Sequence, residues 1–130
     1  ELLTNNFAYD SFFITSFSPL ILRRIKKLDA SIRAGLLLGH GFSLSVYYRV
    51  IKESVFMSDF LYSNADFISP FYKIYELGLM AKFKGLGIPI QLWTVNDINL
   101  LKDLINSDIQ SIVTDIPEKA LQIRSNSKNV

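Results

Sequence analysis

Cysteine is absent from the 130 residues, which excludes disulfides and thiolate metal sites and leaves the redox compartment unmarked. Histidine occurs once, at His40, and tryptophan once, at Trp93. No apolar run approaches the ~18 residues needed to span a bilayer. Residues 1–20 lack the basic start of a signal peptide, and Asp10 interrupts their apolar stretch. Charge of either sign is also in short supply. The formal net charge of +2 is too small an excess to argue for nucleic acid. The densest basic cluster, Arg23-Arg24-Ile25-Lys26-Lys27, is interrupted by an apolar residue and reads as the wet face of a helix. The chain begins with Glu1 rather than Met, as a sequence cut from something longer would.

What is present is an ordinary globular composition, 49% hydrophobic and 20% charged, of one domain's length. The local pattern alternates strand and helix. Ser11–Phe17 is a short β-prone run, and Ser18-Pro19 after it supplies an N-cap and a first helical residue. The helix that follows places Ile21, Ile25 and Leu28 inward with Leu22 beside them, its basic residues facing away. Ile32–Leu38 is the next strand, ended by Gly39-His40-Gly41. Ser43 caps a helix carrying Leu44, Tyr47, Ile51 and Val55. Asp66–Ser69 is a strand stopped by Pro70, and a single helix then carries Ile74, Leu77 and Ala81 inward, with Gly85 and Gly87 at its exit. Ile88–Val95 is the strongest strand of the chain. Asn96-Asp97 caps a helix with the apolar face Ile98, Leu101, Leu104 and Ile105. Ile109–Thr114 is the last strand, Asp115-Ile116-Pro117 starts a final helix to about Arg124, and Ser125–Val130 is a polar tail expected to fray.

Strands alternating with helices through short turns imply parallel strands joined by right-handed crossovers. The strands are continuous apolar runs, as they must be when both faces are buried. Five such units suit either a doubly wound sheet or part of a (β/α)8 barrel. A complete barrel takes about 250 residues, more than this chain has.

Four local sequences favour the barrel. They are Ser16-Phe17-Ser18-Pro19 with Leu22-Arg23-Arg24, Asp66-Phe67-Ile68-Ser69-Pro70, Trp93-Thr94-Val95-Asn96-Asp97, and Ile112-Val113-Thr114-Asp115-Ile116-Pro117. In this order and spacing they resemble the glycerophosphodiester phosphodiesterase family, whose pattern has an S-F-D-P turn before a basic helix, an N-P ending a later strand, then W-T-V-N and a closing I-T-D-x-P. Ser18 stands where that pattern commonly has Asp, and Ser69 where it has Asn. The resemblance covers residues 11–124. It implies that residues 1–124 are the C-terminal part, about five βα units, of a TIM (β/α)8 barrel with parallel strands, and that 125–130 are a tail. A related phospholipase-type phosphodiesterase and a non-catalytic half-barrel binding module are the alternatives.

By the same resemblance, the parent enzyme hydrolyses glycerophosphodiesters to glycerol 3-phosphate and an alcohol, with Mg²⁺ or Ca²⁺ neutralising phosphate charge and a histidine pair moving protons. The family keeps these groups in an H-R-G, an E-x-D and an E-x-K on its early strands. None of these motifs occurs here, and none of Glu1, Glu53, Glu76 and Glu118 ends a strand. The expectation is therefore no catalytic residue, no metal ligand and no cation bound by this chain alone.

Substrate contact is expected from Trp93, as a flat apolar wall at the end of its strand, from Asn96 at the barrel mouth, and from Ser16 and Phe17 at the end of the first strand. Each has a structural reading as well: core packing for Trp93, Phe17 and Ser16, a helix cap for Asn96. His40 reads as a rim histidine, and Asp115 as the organiser of its turn through an Asx-type bond. The aromatic stretch 42–62 reads as an outer barrel helix. Its alternative is a hydrophobic lid or a contact with an anionic membrane surface, and exposure of Phe42, Tyr47, Tyr48 and Phe56 would separate the two.

Overall fold

The computed structural model describes residues 9–39, 41 and 43–127. His40 and Phe42, together with residues 1–8 and 128–130, lie outside the described residues. After a 3-10 turn at Tyr9–Ser11 the chain alternates as the sequence pattern requires. Strand β1 (Ile14–Ser16) leads to helix α1 (Pro19–Leu28) and β2 (Ala34–Leu38). Helices α2 (Leu44–Phe56) and α3 (Ser58–Ser63) precede β3 (Phe67–Pro70). Helices α4 (Tyr72–Glu76) and α5 (Ala81–Gly85) precede β4 (Gln91–Leu92), and α6 (Ile98–Ile105), β5 (Ser111–Ile112) and α7 (Pro117–Ser127) close the chain.

All strand pairs are parallel. β1 pairs with β2, β2 with β3 and β4 with β5. Bridges Ile68↔Ile90 and Phe71↔Trp93 join β3 to β4, so the spatial order follows the chain order. Sequential parallel strands with helical crossovers are the construction of a barrel, whereas a doubly wound sheet reverses its strand order at a switch point.

Alternate residues on a strand face opposite sides. Ala34, Leu36, Leu38, Ile68, Ile90 and Leu92 are buried and form the core with Leu22, Val50, Phe60, Phe83 and Leu101 from the helices and Met80 from the turn before α5. The opposite parity carries Thr15, Gly35, Phe67, Ser69, Gln91, Trp93 and Ser111. On that inward face a Cβ on Gly35 would overlap the ring of Phe67, so glycine is required for the ring to lie there.

Three helical faces differ from the sequence reading. In α1, Leu22 is buried, while Ile21 and Leu28 are exposed. The cause is Lys26, whose ammonium bonds the carbonyls of Ala30 (2.8 Å) and Ile32 (3.0 Å) and the carboxylate of Asp66 (2.9 Å), turning a basic residue inward. Arg23 also leaves the wet face, its guanidinium lying 4.2 Å from the centre of the Tyr62 ring. The helix expected after Pro70 is two. Gly78 adopts φ +72, a left-handed conformation that interrupts the helix and resets its phase. Ile74, Met80 and Phe83 are consequently buried, while Leu77 and Ala81 are exposed. Pro70 does not stop β3 but is its last residue, and Ser125–Ser127 belong to α7 rather than to a tail. In α2, Leu44, Tyr47, Ile51 and Val55 are all half-exposed or more, and the buried residues are Val50 and Glu53.

Candidate functional site

In a parallel barrel, chemistry gathers at the C-terminal ends of the strands. Here that rim is formed by the residues after β1, β2, β3, β4 and β5. Trp93, immediately after β4, is the centre of the inward-facing part. Its indole Nε1 donates to the carbonyl of Ser69 on β3 at 2.8 Å. Phe17 meets it edge-on at 5.7 Å between ring centres, and Phe71 lies 5.8 Å away. The hydrogen bond fixes one edge of the indole, and the two phenylalanines fix its plane. Trp93 is therefore packed in an aromatic cluster and only partly buried.

Ser16 is not part of this cluster. It has the parity of the helix-facing residues, and its hydroxyl accepts the amide of Ser18 at 3.0 Å. Ser18 in turn caps α1, accepting from the amide of Ile21, with Pro19 in the first turn. The motif Ser16-Phe17-Ser18-Pro19 is thus one device: it ends β1, starts α1 and delivers Phe17 to the indole.

Asn96 does not cap α6. That role falls to Asp97, which accepts from the amide of Leu100 at 2.9 Å. The Asn96 amide reaches across to the turn after β5. Its Nδ2 donates to Asp115 Oδ2 (2.7 Å), and its Oδ1 accepts from the Asp115 amide (2.9 Å) and from Thr114 Oγ1 (3.2 Å). Thr114 Oγ1 also accepts from the Ile116 amide at 3.2 Å, so the turn is organised by Thr114 rather than by an Asx bond from Asp115.

A polar row that sequence reasoning missed crosses the inward face below Trp93. Ser69 Oγ donates to Gln91 Oε1 (3.2 Å), and Gln91 Nε2 donates to Ser111 Oγ (3.1 Å). The signal was a lone glutamine at an inward position of an otherwise apolar strand, Ile88-Pro89-Ile90-Gln91-Leu92.

Beside the indole, between α2 and the ends of β2, β3 and β4, lies a cavity of about 530 Å³. Its walls are largely apolar: Val46, Val50 and Ile51 from α2, Phe71 and Ile74 after β3, and Trp93. Among the described residues that line it, Lys73 is the charged one. Gly39, at φ +81, stands where a Cβ would overlap Ile74, which lets the chain turn tightly at the cavity's edge. Of the aromatic stretch 42–62, Tyr47, Tyr48 and Phe56 are all more than half exposed. The same stretch also carries Val50, Glu53, Met57 and Phe60, which are buried.

No group of three or more histidine, aspartate or glutamate side chains suited to a metal ion stands together among the described residues. Asp115 on the rim is engaged by Asn96, and Glu53 is buried in the helical layer. The described residues do not fit the divalent cation that the family resemblance implies.

The fold is that of part of a parallel (β/α) barrel. It is similar to a glycerophosphodiester phosphodiesterase from Parabacteroides distasonis, with a TM-score of 0.64, 19% identity, and coverage of 89% of this chain and 44% of that one. It is similar also to an Oleispira antarctica phosphodiesterase in complex with the product sn-glycerol-3-phosphate, with a TM-score of 0.67, 17% identity, and coverage of 85% and 40%. The chain thus spans less than half the length of either structure. No family model matches the sequence, and no curated protein is similar to it at a significant level.

Proposed function

We propose that this chain is the C-terminal part of a barrel enzyme that hydrolyses glycerophosphodiesters to glycerol 3-phosphate and an alcohol. Its share of the site is the apolar wall of Trp93 and Phe17 and the turn held by Asn96. The carboxylates that hold Mg²⁺ or Ca²⁺ and the histidines that move protons belong, in this reading, to the barrel units outside this chain. The observation that carries it is the Asn96 clamp. The two sequence motifs whose pairing resembles the family, Trp93-Thr94-Val95-Asn96 and Thr114-Asp115-Ile116-Pro117, are joined by three side-chain hydrogen bonds at the mouth of a barrel of the same fold. A motif that is structurally coherent, on strands in the right order, is harder to produce by chance than either observation alone.

The test is release of sn-glycerol 3-phosphate from glycerophosphocholine and glycerophosphoglycerol. It is run on residues 1–130 and on the same residues joined to whatever the gene encodes upstream. The expected result is no release by the first and cation-dependent release by the second, reduced in the second by Trp93→Ala. An inactive longer protein, or a reading frame opening at Glu1, would remove the enzymatic reading and leave a half-barrel binding module.

A further inference from the structure

The cavity beside Trp93 is built for a different part of a ligand than a phosphate or a glycerol. Small-molecule sites occupy about 300–1,000 Å³ and are mostly apolar with a few placed polar groups. This one, at about 530 Å³, is walled largely by aliphatic and aromatic side chains and, among the described residues, bordered by one ammonium group. That ammonium, on Lys73, makes no hydrogen bond or ion pair with any described residue. It contrasts with Arg49 and Lys52 on the neighbouring helix, which are both paired with Asp59 at 3.0 and 3.2 Å. Several apolar side chains on its border are also exposed. Tyr47 and Ile51 border it from α2, and the same helix also carries Leu44, Tyr48 and Val55, all half-exposed or more. Leu77, from the turn after α4, also lines the cavity and is exposed too.

We infer that this cavity receives a single hydrocarbon chain of an anionic phosphate ester, with Lys73 countering the phosphate charge and Trp93 forming the wall between chain and headgroup. One cation at the edge of an apolar cavity complements an amphiphile with one negative charge and one tail, and no purely polar alcohol would use such walls. The glycerophosphodiester class of the headgroup rests on the function proposed above, and the accommodation of the chain does not. Together they assign as substrate a glycerophosphodiester carrying a long alkyl or acyl chain.

Trp93 is the only tryptophan of the 130 residues, so its fluorescence reports a ligand at this cavity or on the adjoining inward face, and the variants separate the two. The chain is titrated with octyl, decyl and dodecyl phosphoglycerol, and with the uncharged glucosides of the same three chains, all below their micelle concentrations. Binding of both series should saturate and tighten with chain length, by up to about fourfold per methylene if burial is complete. Ile51→Glu and Leu77→Glu, both at exposed positions, should weaken both series by roughly tenfold or more, since each puts a charge at the wall of an apolar site. Lys73→Gln should weaken the phosphoglycerols severalfold and leave the glucosides unchanged. Phe13→Ser, on the inward face of the strands and away from the cavity, should change neither. The inference is overturned by a response independent of chain length, or by one that Phe13→Ser abolishes, which would place the ligand on the open strand face. It is overturned also by binding to lipid vesicles without binding of monomers, which would assign the α2 stripe to a membrane surface. Chain-length-dependent binding of the glucosides alone would keep the cavity and remove the phosphodiester headgroup. Because no arm measures hydrolysis, failure here leaves the phosphodiesterase reading to its own test.

Discussion

Asn96 Nδ2 lies 2.7 Å from Asp115 Oδ2 while Asn96 Oδ1 lies 2.9 Å from the Asp115 amide, so one side chain holds both ends of one residue. The contact spans two consecutive strand exits and fixes the loop after β5 against the loop after β4. A solvent-exposed hydrogen bond contributes little net stability, about 1 kcal/mol, but a bond to a charged group contributes somewhat more. Asn96→Leu is expected to cost about 1–2 kcal/mol in urea unfolding. Asn96→Asp should cost at least as much near neutral pH, because it replaces the Nδ2 donor with a second carboxylate oxygen facing Asp115. Recovery of the Asn96→Asp loss on lowering the pH would identify the repulsion, and equal stability of all three proteins would show that the clamp does not form.

How far the sequence carried the fold is visible in α1 and β4. The alternation of apolar runs and capped helices was enough to order five parallel strands, since it depends only on periodicity and on local caps such as Ser18 and Ser43. Which helical face turns inward was not legible where a polar residue makes tertiary bonds. Lys26 is drawn in by two carbonyls and a carboxylate forty residues away, and no local pattern announces such partners. The site was readable to the same extent. Trp93 and Phe17 were named and do meet, whereas Ser16 took the other parity and Asn96 gave its cap to Asp97. The cavity under α2 was not foreseen, because it depends on the break at Gly78 and on how α2 sits over the strand ends.

Glu53 is fully buried in α2, and its carboxylate accepts from Ser58 Oγ (2.9 Å), the Asp59 amide (2.7 Å) and the Phe60 amide (3.1 Å). It thereby caps α3, whose own N-cap residue, Met57, at φ 55, provides no side-chain bond. A negative charge at free helical amides is favourable, and leaving those amides buried and unpaired is not. Glu53→Ala is expected to destabilise the chain by roughly 2–3 kcal/mol. Glu53→Gln, which retains one acceptor, should lose less. Thermal or urea denaturation of the two variants decides this, and an alanine variant as stable as the parent would contradict the capping role.

Tyr9 donates its hydroxyl to Asp29 Oδ2 at 2.5 Å, tying the start of the described chain to the end of α1. This bond holds the Asp29 carboxyl below its ordinary value of 3.8, helped by the Ser31 amide, and raises the Tyr9 hydroxyl above 10.0. A lowered carboxyl favours the folded state above pH 3.8, and its contribution fades as pH falls from there through the folded value. The raised tyrosine works in the other sense. Its contribution is full below pH 10.0 and is lost as pH rises through the folded value. Tyr9→Phe should therefore return the Asp29 titration, followed by carboxyl NMR shifts, toward 3.8. An unmoved Asp29 titration in that variant would show that the latch is absent in solution.

Among the described residues, neither β1 nor β5 has a strand partner on its outer side, and the inward face presents Phe13, Phe17 and Val113 to solvent, each 40–49% exposed. Unpaired parallel edges and an uncovered barrel interior are both sites of association, because backbone donors and apolar area seek cover. The purified 130-residue chain is therefore expected to dimerise, to aggregate with increasing concentration, or to bind a hydrophobic dye. Phe13→Ser and Val113→Thr together should reduce whichever occurs without lowering the helical signal. The cavity variant Ile51→Glu should reduce it much less, since α2 is on the other side of the strands. Sedimentation and dye fluorescence measure both effects. A monomeric, dye-silent protein with a single cooperative melt would mean that the inward face is covered in solution by the chain itself.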